Sequence, residues 1–150
     1  MRNYEDDNCD VALDEGLAGC RIGVHRSFNG SAGEHFYTTN LAEAMTPGFT
    51  LEFQDYYDIY AAEHAGLVGW YRCLKGNGKH FYTTSSTCEG QTVESLMGYV
   101  STSEVPESTA LYRLYSGSLG NHFYTTSAAE RDNAVANLGY VFESVGCYVF

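Results

Sequence analysis

The chain has 150 residues, 44% hydrophobic and 15% aromatic, enough to bury one real core and too apolar for a disordered segment. A formal charge of −11 with a pI near 4.6 argues against nucleic acid, whose binders need a basic stripe, and against anionic membrane surfaces. No apolar run approaches the ~18 residues that a membrane-spanning helix needs.

In chain order, residues 1–18 come first and read as an acidic arm bearing Glu5, Asp6, Asp7, Asp10, Asp14 and Glu15. The arm lacks the apolar centre of a signal peptide, so the protein either stays inside the cell or begins after a removed leader. Its acids do not have the spacing of an EF-hand calcium loop. Cys9 and Cys20 are near enough in sequence to staple it. Cys73, Cys88 and Cys147 complete an odd set without a C-x-x-C pair, so a zinc knuckle or redox site is not indicated and at least one thiol stays unpaired within the chain.

A β-prone run around Val24-His25-Arg26 follows, then Asn29-Gly30-Ser31, which matches a glycosylation sequon but reads better as a hairpin turn. His35-Phe36-Tyr37-Thr38-Thr39 forms the returning strand. Asn40 with Glu43 makes a capping box for a helix that Pro47-Gly48 cuts short, and an aromatic insert with Tyr56, Tyr57 and Tyr60 comes next. The same grammar recurs from Trp70-Tyr71-Arg72 through Gly76-Asn77-Gly78 to His80-Phe81-Tyr82-Thr83-Thr84. Here Ser86 and Glu89 supply the predicted capping box, Gly98 the predicted helix stop, and Tyr99-Val100 the next strand.

The third stretch is the cleanest. Leu111-Tyr112-Arg113-Leu114-Tyr115, a Gly/Ser loop and His122-Phe123-Tyr124-Thr125-Thr126 predict a hairpin. Ser127 and Glu130 then cap a helix reaching about Leu138, where Gly139 stops it, and Tyr140-Val141-Phe142-Glu143 resumes extended structure. Residues 143–150 look like the lead-in to a fourth copy that pairs with the first and closes the array.

His-Phe-Tyr-Thr-Thr thus occurs three times, at intervals of 45 and 42 residues, each time eight or nine residues after an arginine. One small unit has been copied. The expected fold is mainly β with short helices (α+β): three pseudo-symmetric β-β-α-β repeats closed into a small propeller-like ring. A β-trefoil is the alternative. The expected domain spans residues 19–150, with repeats at about 19–66, 67–108 and 109–150.

The pentapeptide, the capped helix and the Gly-Tyr-x-x-Glu strand resemble an HFYTT-repeat domain family of unknown function, whose tandem modules accompany secreted hydrolases and also stand alone. The resemblance covers about residues 20–150 and implies an extracellular or surface-binding role towards carbohydrate. The chain departs from that pattern in its first copy, and in the second, where Gly98-Tyr99 offers only Glu104 or Glu107 as the acid.

Strand alternation puts His122, Tyr124 and Thr126 on one face, with Phe123 and Thr125 on the other. The candidate ligand-binding set is therefore Arg26, His35, Tyr37 and Thr39, then Arg72, His80, Tyr82 and Thr84, then Arg113, His122, Tyr124 and Thr126. Sugar sites need an aromatic face and a few fixed polar groups, and three weak copies would add avidity for a repetitive glycan or cell-surface polysaccharide. The competing assignment is structural. In it the tyrosines and histidines lock neighbouring repeats, each arginine meets a nearby acid such as Glu63 or Glu143, and a tyrosine-rich surface self-associates or meets protein partners. Three histidines converging on an axis could hold zinc, but nothing in the sequence supplies their supporting shell. No Gly-x-Ser-x-Gly elbow or cofactor motif is present, and a motif kept whole in every copy points away from an enzyme, towards a lectin-like binding protein.

Overall fold

The computed structural model describes residues 20–150; the acidic arm, and with it the proposed Cys9–Cys20 staple, lies outside the described residues. The β-branched and aromatic runs beside each Gly-rich loop form strands. β1 (Arg21–Asn29) and β2 (Glu34–Thr38) are followed by a one-turn helix α1 (Leu41–Ala44) and β3 (Thr50–Tyr60). β4 (Leu67–Leu74) and β5 (His80–Thr83) lead through a 3₁₀ turn (Cys88–Gly90) to β6 (Thr92–Ser101). β7 (Thr109–Ser116), β8 (Asn121–Thr125), α2 (Ala128–Asn137) and β9 (Val141–Val149) complete the chain.

The protein is mainly β. Its strands form one open antiparallel sheet in the order β2-β1-β3-β6-β9-β7-β8, with β4 and β5 branching from β6. The strands fall into three consecutive triplets, β1–β3, β4–β6 and β7–β9, each containing one copy of the pentapeptide, and within each such module the first strand lies between the second and third. Registers correspond: Arg26, Arg72 and Arg113 oppose Tyr37, Tyr82 and Tyr124, while Val24, Trp70 and Leu111 oppose Tyr57, Gly98 and Cys147. The third strands of the modules touch only near their ends. Tyr60 pairs with Tyr99, Ser101 with Tyr148, and Phe150 exchanges two backbone hydrogen bonds with Asp58, at 2.8 and 2.9 Å. Gly98 sits where β3 crosses closest: a Cβ there would lie 2.6 Å from Ile59 Cδ1 and 2.7 Å from the Tyr60 carbonyl oxygen.

Several sequence expectations change. The aromatic stretch from Phe49 to Tyr60 is no insert; Thr50–Tyr60 is β3, the counterpart of β6 and β9. Residues 143–150 begin no fourth copy, because they continue β9, although the expected pairing with the first module is present through Asp58 and Phe150. In the second module the predicted helix is replaced by the 3₁₀ turn, which ends at Gly90 (φ 92°) rather than at Gly98. A disulfide between Cys73 on β4 and Cys88 in that turn occupies the place where helix packing holds the third module, whose Ala134 covers Leu114 and Phe123. Cys20 is also disulfide-bonded, and Cys147 is a buried free thiol. The third module matches its reading, with Ser127 as N-cap and Gly139 (φ 80°) just past the helix. Among the described residues no helix is long and apolar enough to cross a membrane.

Candidate functional site

The three tyrosines of the repeated motif do not face solvent. Tyr37, Tyr82 and Tyr124 are 0–1% exposed and meet edge to face, with ring centroids 5.3–5.5 Å apart. Each hydroxyl serves the backbone of one neighbour. Tyr37 Oη donates to the Tyr124 carbonyl (2.6 Å) and accepts from the Tyr124 amide (2.8 Å). Tyr82 does the same for Tyr37 (2.8 and 2.8 Å), and Tyr124 for Tyr82 (2.6 and 2.8 Å). Burial pushes all three phenols above their ordinary pKa. These side chains are the centre of the core.

The arginines sit one layer out and join modules. Each guanidinium sends Nε to an acid on the third strand of its own module: Arg26 to Glu52 (2.9 Å), Arg72 to Glu94 (3.0 Å) and Arg113 to Glu143 (2.7 Å). Its two terminal nitrogens grip the capping glutamate of a neighbouring module as a fork: Arg26 on Glu130, Arg72 on Glu43 and Arg113 on Glu89, at 2.8–3.2 Å. The same guanidinium lies over the neighbour's motif phenylalanine, Phe123, Phe36 or Phe81, at 5.1–5.5 Å. Arg72 and Arg113 hold Glu43 and Glu89 below the usual carboxylate range. The expected partner Glu143 is found; Glu63 is not one, and Glu104 and Glu107 do not replace the second module's acid, which is Glu94.

This geometry redirects the capping boxes. Ser127 and Asn40 cap as predicted, accepting from the amides of Glu130 (3.0 Å) and Glu43 (3.1 Å). The glutamate carboxylates do not reach back to the cap N–H. The first threonine of each motif takes that role or holds the acid: Thr38 and Thr125 Oγ1 accept from the cap amides (both 3.0 Å) and donate to Glu43 (2.6 Å) and Glu130 (2.5 Å). In the second module the N-cap position is Thr87, which makes no side-chain cap hydrogen bond; Ser85 Oγ, and not Ser86, accepts from the Glu89 amide (3.1 Å). The second motif threonines are peripheral: Thr39 is exposed, Thr84 and Thr126 half-buried.

The histidines do not converge, so the threefold zinc geometry is not formed, and among the described residues no three His, Cys, Asp or Glu side chains are arranged to hold a metal. Each ring lies against the phenylalanine of a different neighbour: His35 on Phe123, His80 on Phe36 and His122 on Phe81. Their polar partners differ. His35 Nδ1 is 2.9 Å from Asn121 Nδ2, and His80 lies between Glu34 (2.7 Å) and Glu94 (3.1 Å). His122 reaches only to 3.6 Å from Glu143, and its buried Nδ1 has no hydrogen-bond partner among the described residues. Burial, reinforced by Arg26 for His35 and by Arg113 and Lys75 for His122, lowers both pKa values to about 3, so both rings are neutral.

Cavities open at these three boundaries. The largest, about 380 Å³, is lined by Arg26, His35, Phe123 and Glu130, and is widened by Phe28, Asn133, Leu138 and Tyr140. Its counterpart at Arg72 and His80 is about 230 Å³, and that at Arg113 and His122 about 120 Å³. The structure therefore brings arginine and histidine together at each boundary and removes tyrosine from it. Sequence reasoning missed Glu52, Glu94 and the gripping role of the capping glutamates. The sole local signal was the repeated acid three residues into each cap. Tyr56, singled out in the first module, bridges modules: its Oη is 3.0 Å from Thr125 Oγ1 and its ring lies 4.9 Å from the Arg26 guanidinium.

The chain belongs to the DUF5648 family, a domain of unknown function, whose profile matches residues 3–101 and, overlapping, 23–150. No curated protein and no solved structure matches it significantly.

Proposed function

We propose that this is a non-enzymatic carbohydrate-binding protein whose sugar sites lie at the boundaries between the three modules, and that those modules close into a small propeller-like ring about the three tyrosines. The observation that carries the binding reading is the recurrence of one constellation at every boundary. An arginine forked on a carboxylate, an aromatic face and a neutral or paired histidine line a cavity each time. Aromatic rings suit the C–H face of a pyranose, and fixed donors and acceptors suit its hydroxyls. Ring closure draws support from the Asp58–Phe150 backbone pair, which stands in the same offset as Tyr60–Tyr99 and Ser101–Tyr148. The helices α1 and α2 inside the units favour this ring over a β-trefoil.

Cavity size ranks the sites. Small-molecule sites occupy roughly 300–1,000 Å³, which the Arg26 cavity reaches at about 380 Å³ and the other two do not. One site therefore dominates, with up to two weaker ones. The Cys73–Cys88 disulfide supports an oxidising, extracellular setting for such a protein. A glycan array followed by calorimetry tests the reading: the expected result is one principal sugar per chain, weakened by Phe123→Ala. The competing function is self-association through exposed apolar side chains on β6 and β9, among them Leu96, Val141 and Phe142. A blank array together with concentration-dependent oligomers in sedimentation would replace the lectin by that assembly.

A further inference from the structure

We propose that the Arg26 cavity selects a cationic amino sugar, a hexosamine with a free protonated amine, over neutral and acidic sugars. The inference rests on the reading of this cavity as a sugar site and concerns which sugar it takes.

The charges that line the cavity do not balance. Glu52 and Glu130 face a single cation, Arg26, and His35 contributes none because its ring is neutral. Arg26 is fully engaged, with Nε on Glu52 Oε1 and its two terminal nitrogens on the two oxygens of Glu130. Among the described residues Arg26 is the sole hydrogen-bond partner of the Glu52 carboxylate, whose side chain is 30% exposed, which leaves its Oε2 open. An ammonium group there forms a charge-assisted hydrogen bond and restores neutrality. An acidic sugar would meet both the local excess and the −11 of the whole chain. The sugar ring has an apolar wall in Phe28, Phe123 and Leu138 and an uncharged amide in Asn133. The Arg113 boundary is balanced, since Lys75 joins Arg113 against Glu89 and Glu143. The Arg72 boundary repeats the two-acid set in Glu43 and Glu94, but there His80 Nε2 also meets Glu94, at 3.1 Å, and the cavity is smaller, about 230 Å³ against 380 Å³. An acid met by arginine alone, beside a cavity of small-molecule size, is thus the feature that sets the Arg26 boundary apart.

The test titrates the full chain by calorimetry with three probes at mildly acid pH: tetramers of β-1,4-linked glucosamine, of N-acetylglucosamine and of galacturonate. The glucosamine tetramer should bind once per chain and about tenfold or more tighter than the N-acetylated one, with the gap shrinking as salt is raised. Glu52→Gln should abolish that preference and Glu94→Gln, the matching change at the Arg72 boundary, should keep it, with melting curves confirming that both variants fold. Equal or tighter binding of the N-acetylated or uronate tetramer overturns the cationic selectivity while leaving a sugar site in place. A preference that survives Glu52→Gln is general attraction to an acidic protein and also overturns it. Binding of none of the three, with a blank glycan array, removes the sugar site itself.

Discussion

The hydroxyl of Tyr37 satisfies both backbone polar groups of Tyr124, donating to its carbonyl at 2.6 Å and accepting from its amide at 2.8 Å. A side chain here does what a neighbouring strand does elsewhere, at a place where three strands meet and none can pair with the others. The relation passes round the three tyrosines, so each phenol is fixed by the residue it does not serve. Replacing any one by Phe keeps the ring and leaves a buried N–H and C=O unpaired, which should cost ~1–3 kcal/mol in chemical denaturation. Two such changes share a network and should not add. If each replacement leaves stability unchanged while weakening glycan binding, the tyrosines are ligand contacts after all.

The arginine forks should differ in weight. Arg26 has a side chain 4% exposed and is flanked by Phe53 and Tyr56 as well as Phe123, whereas Arg72 and Arg113 are 16% and 15% exposed. Removing a buried partner strands a charge and costs about 3–5 kcal/mol, while exposed pairs contribute about 0–1. Each glutamate here is partly solvated, so the cost for Arg26→Met should lie between those limits, at roughly 2–3 kcal/mol, and exceed that for Arg72→Met or Arg113→Met. Lys cannot reproduce a fork with three engaged nitrogens and should rescue little. Equal melting temperatures for the three Met variants would show that burial does not set the strength of these pairs.

The third module was legible in the sequence because its signals are local: the Ser127 cap, the Gly139 stop and the alternation of β8 lie within a few residues of what they control. The second was misread because a covalent link between Cys73 and Cys88 does what helix packing does elsewhere, and that pairing has no local signature. Alternation correctly placed His and Tyr on one side of the strand but not which side would be buried, since both faces of β8 are covered. The acids that grip Arg26 and Arg72 lie 104 and 29 residues away in sequence, so the repeated glutamate was visible only as a helix signal. The candidate site was half legible for the same reason. Its arginines and histidines were named, while the boundary that assembles them is made by contacts between modules.

The second module offers a sharp check on that correction. Ser85, not Ser86, receives the Glu89 amide, because the turn contains Cys88 and Glu89 in the left-handed region (φ 54° and 53°). Ser85→Ala should cost ~1 kcal/mol, the usual net worth of one hydrogen bond, and Ser86→Ala almost nothing. Replacing both cysteines of the 73–88 pair by Ser removes a cross-link of sequence separation 15 and should cost about 3 kcal/mol. It should also loosen the turn that carries Glu89, so that Arg113→Met costs less in that background than in the native chain. Additive effects of the two changes would show that the turn holds Glu89 in place without the disulfide.

Acid should unfold the protein in two stages, and the first belongs to the histidines. His35 and His122 have folded pKa values of about 3 against an ordinary 6.5. Between those values the unfolded chain binds protons that the native chain refuses, so stability falls as pH falls. Each histidine contributes roughly 1.4 kcal/mol per pH unit while its native form stays neutral. Above pH 6.5 this contribution is flat. The acids Glu43, Glu89 and Glu130 are held below their ordinary 4.5, so the stability they contribute is lost only below that value. The window from 6.5 to 4.5 therefore isolates the rings. His122 is the cleaner probe, since its Nδ1 is buried without a partner among the described residues and its ring is in aromatic contact with Phe81 and Tyr115. His122→Phe keeps an aromatic ring of similar shape and removes the unpartnered nitrogen, so it should leave stability at neutral pH equal or higher. It should also reduce the slope of denaturation free energy against pH between 6.5 and 4.5 by one histidine's share. An unchanged slope in that variant would mean that His122 takes up its proton in the native state and that its burial does not keep it neutral.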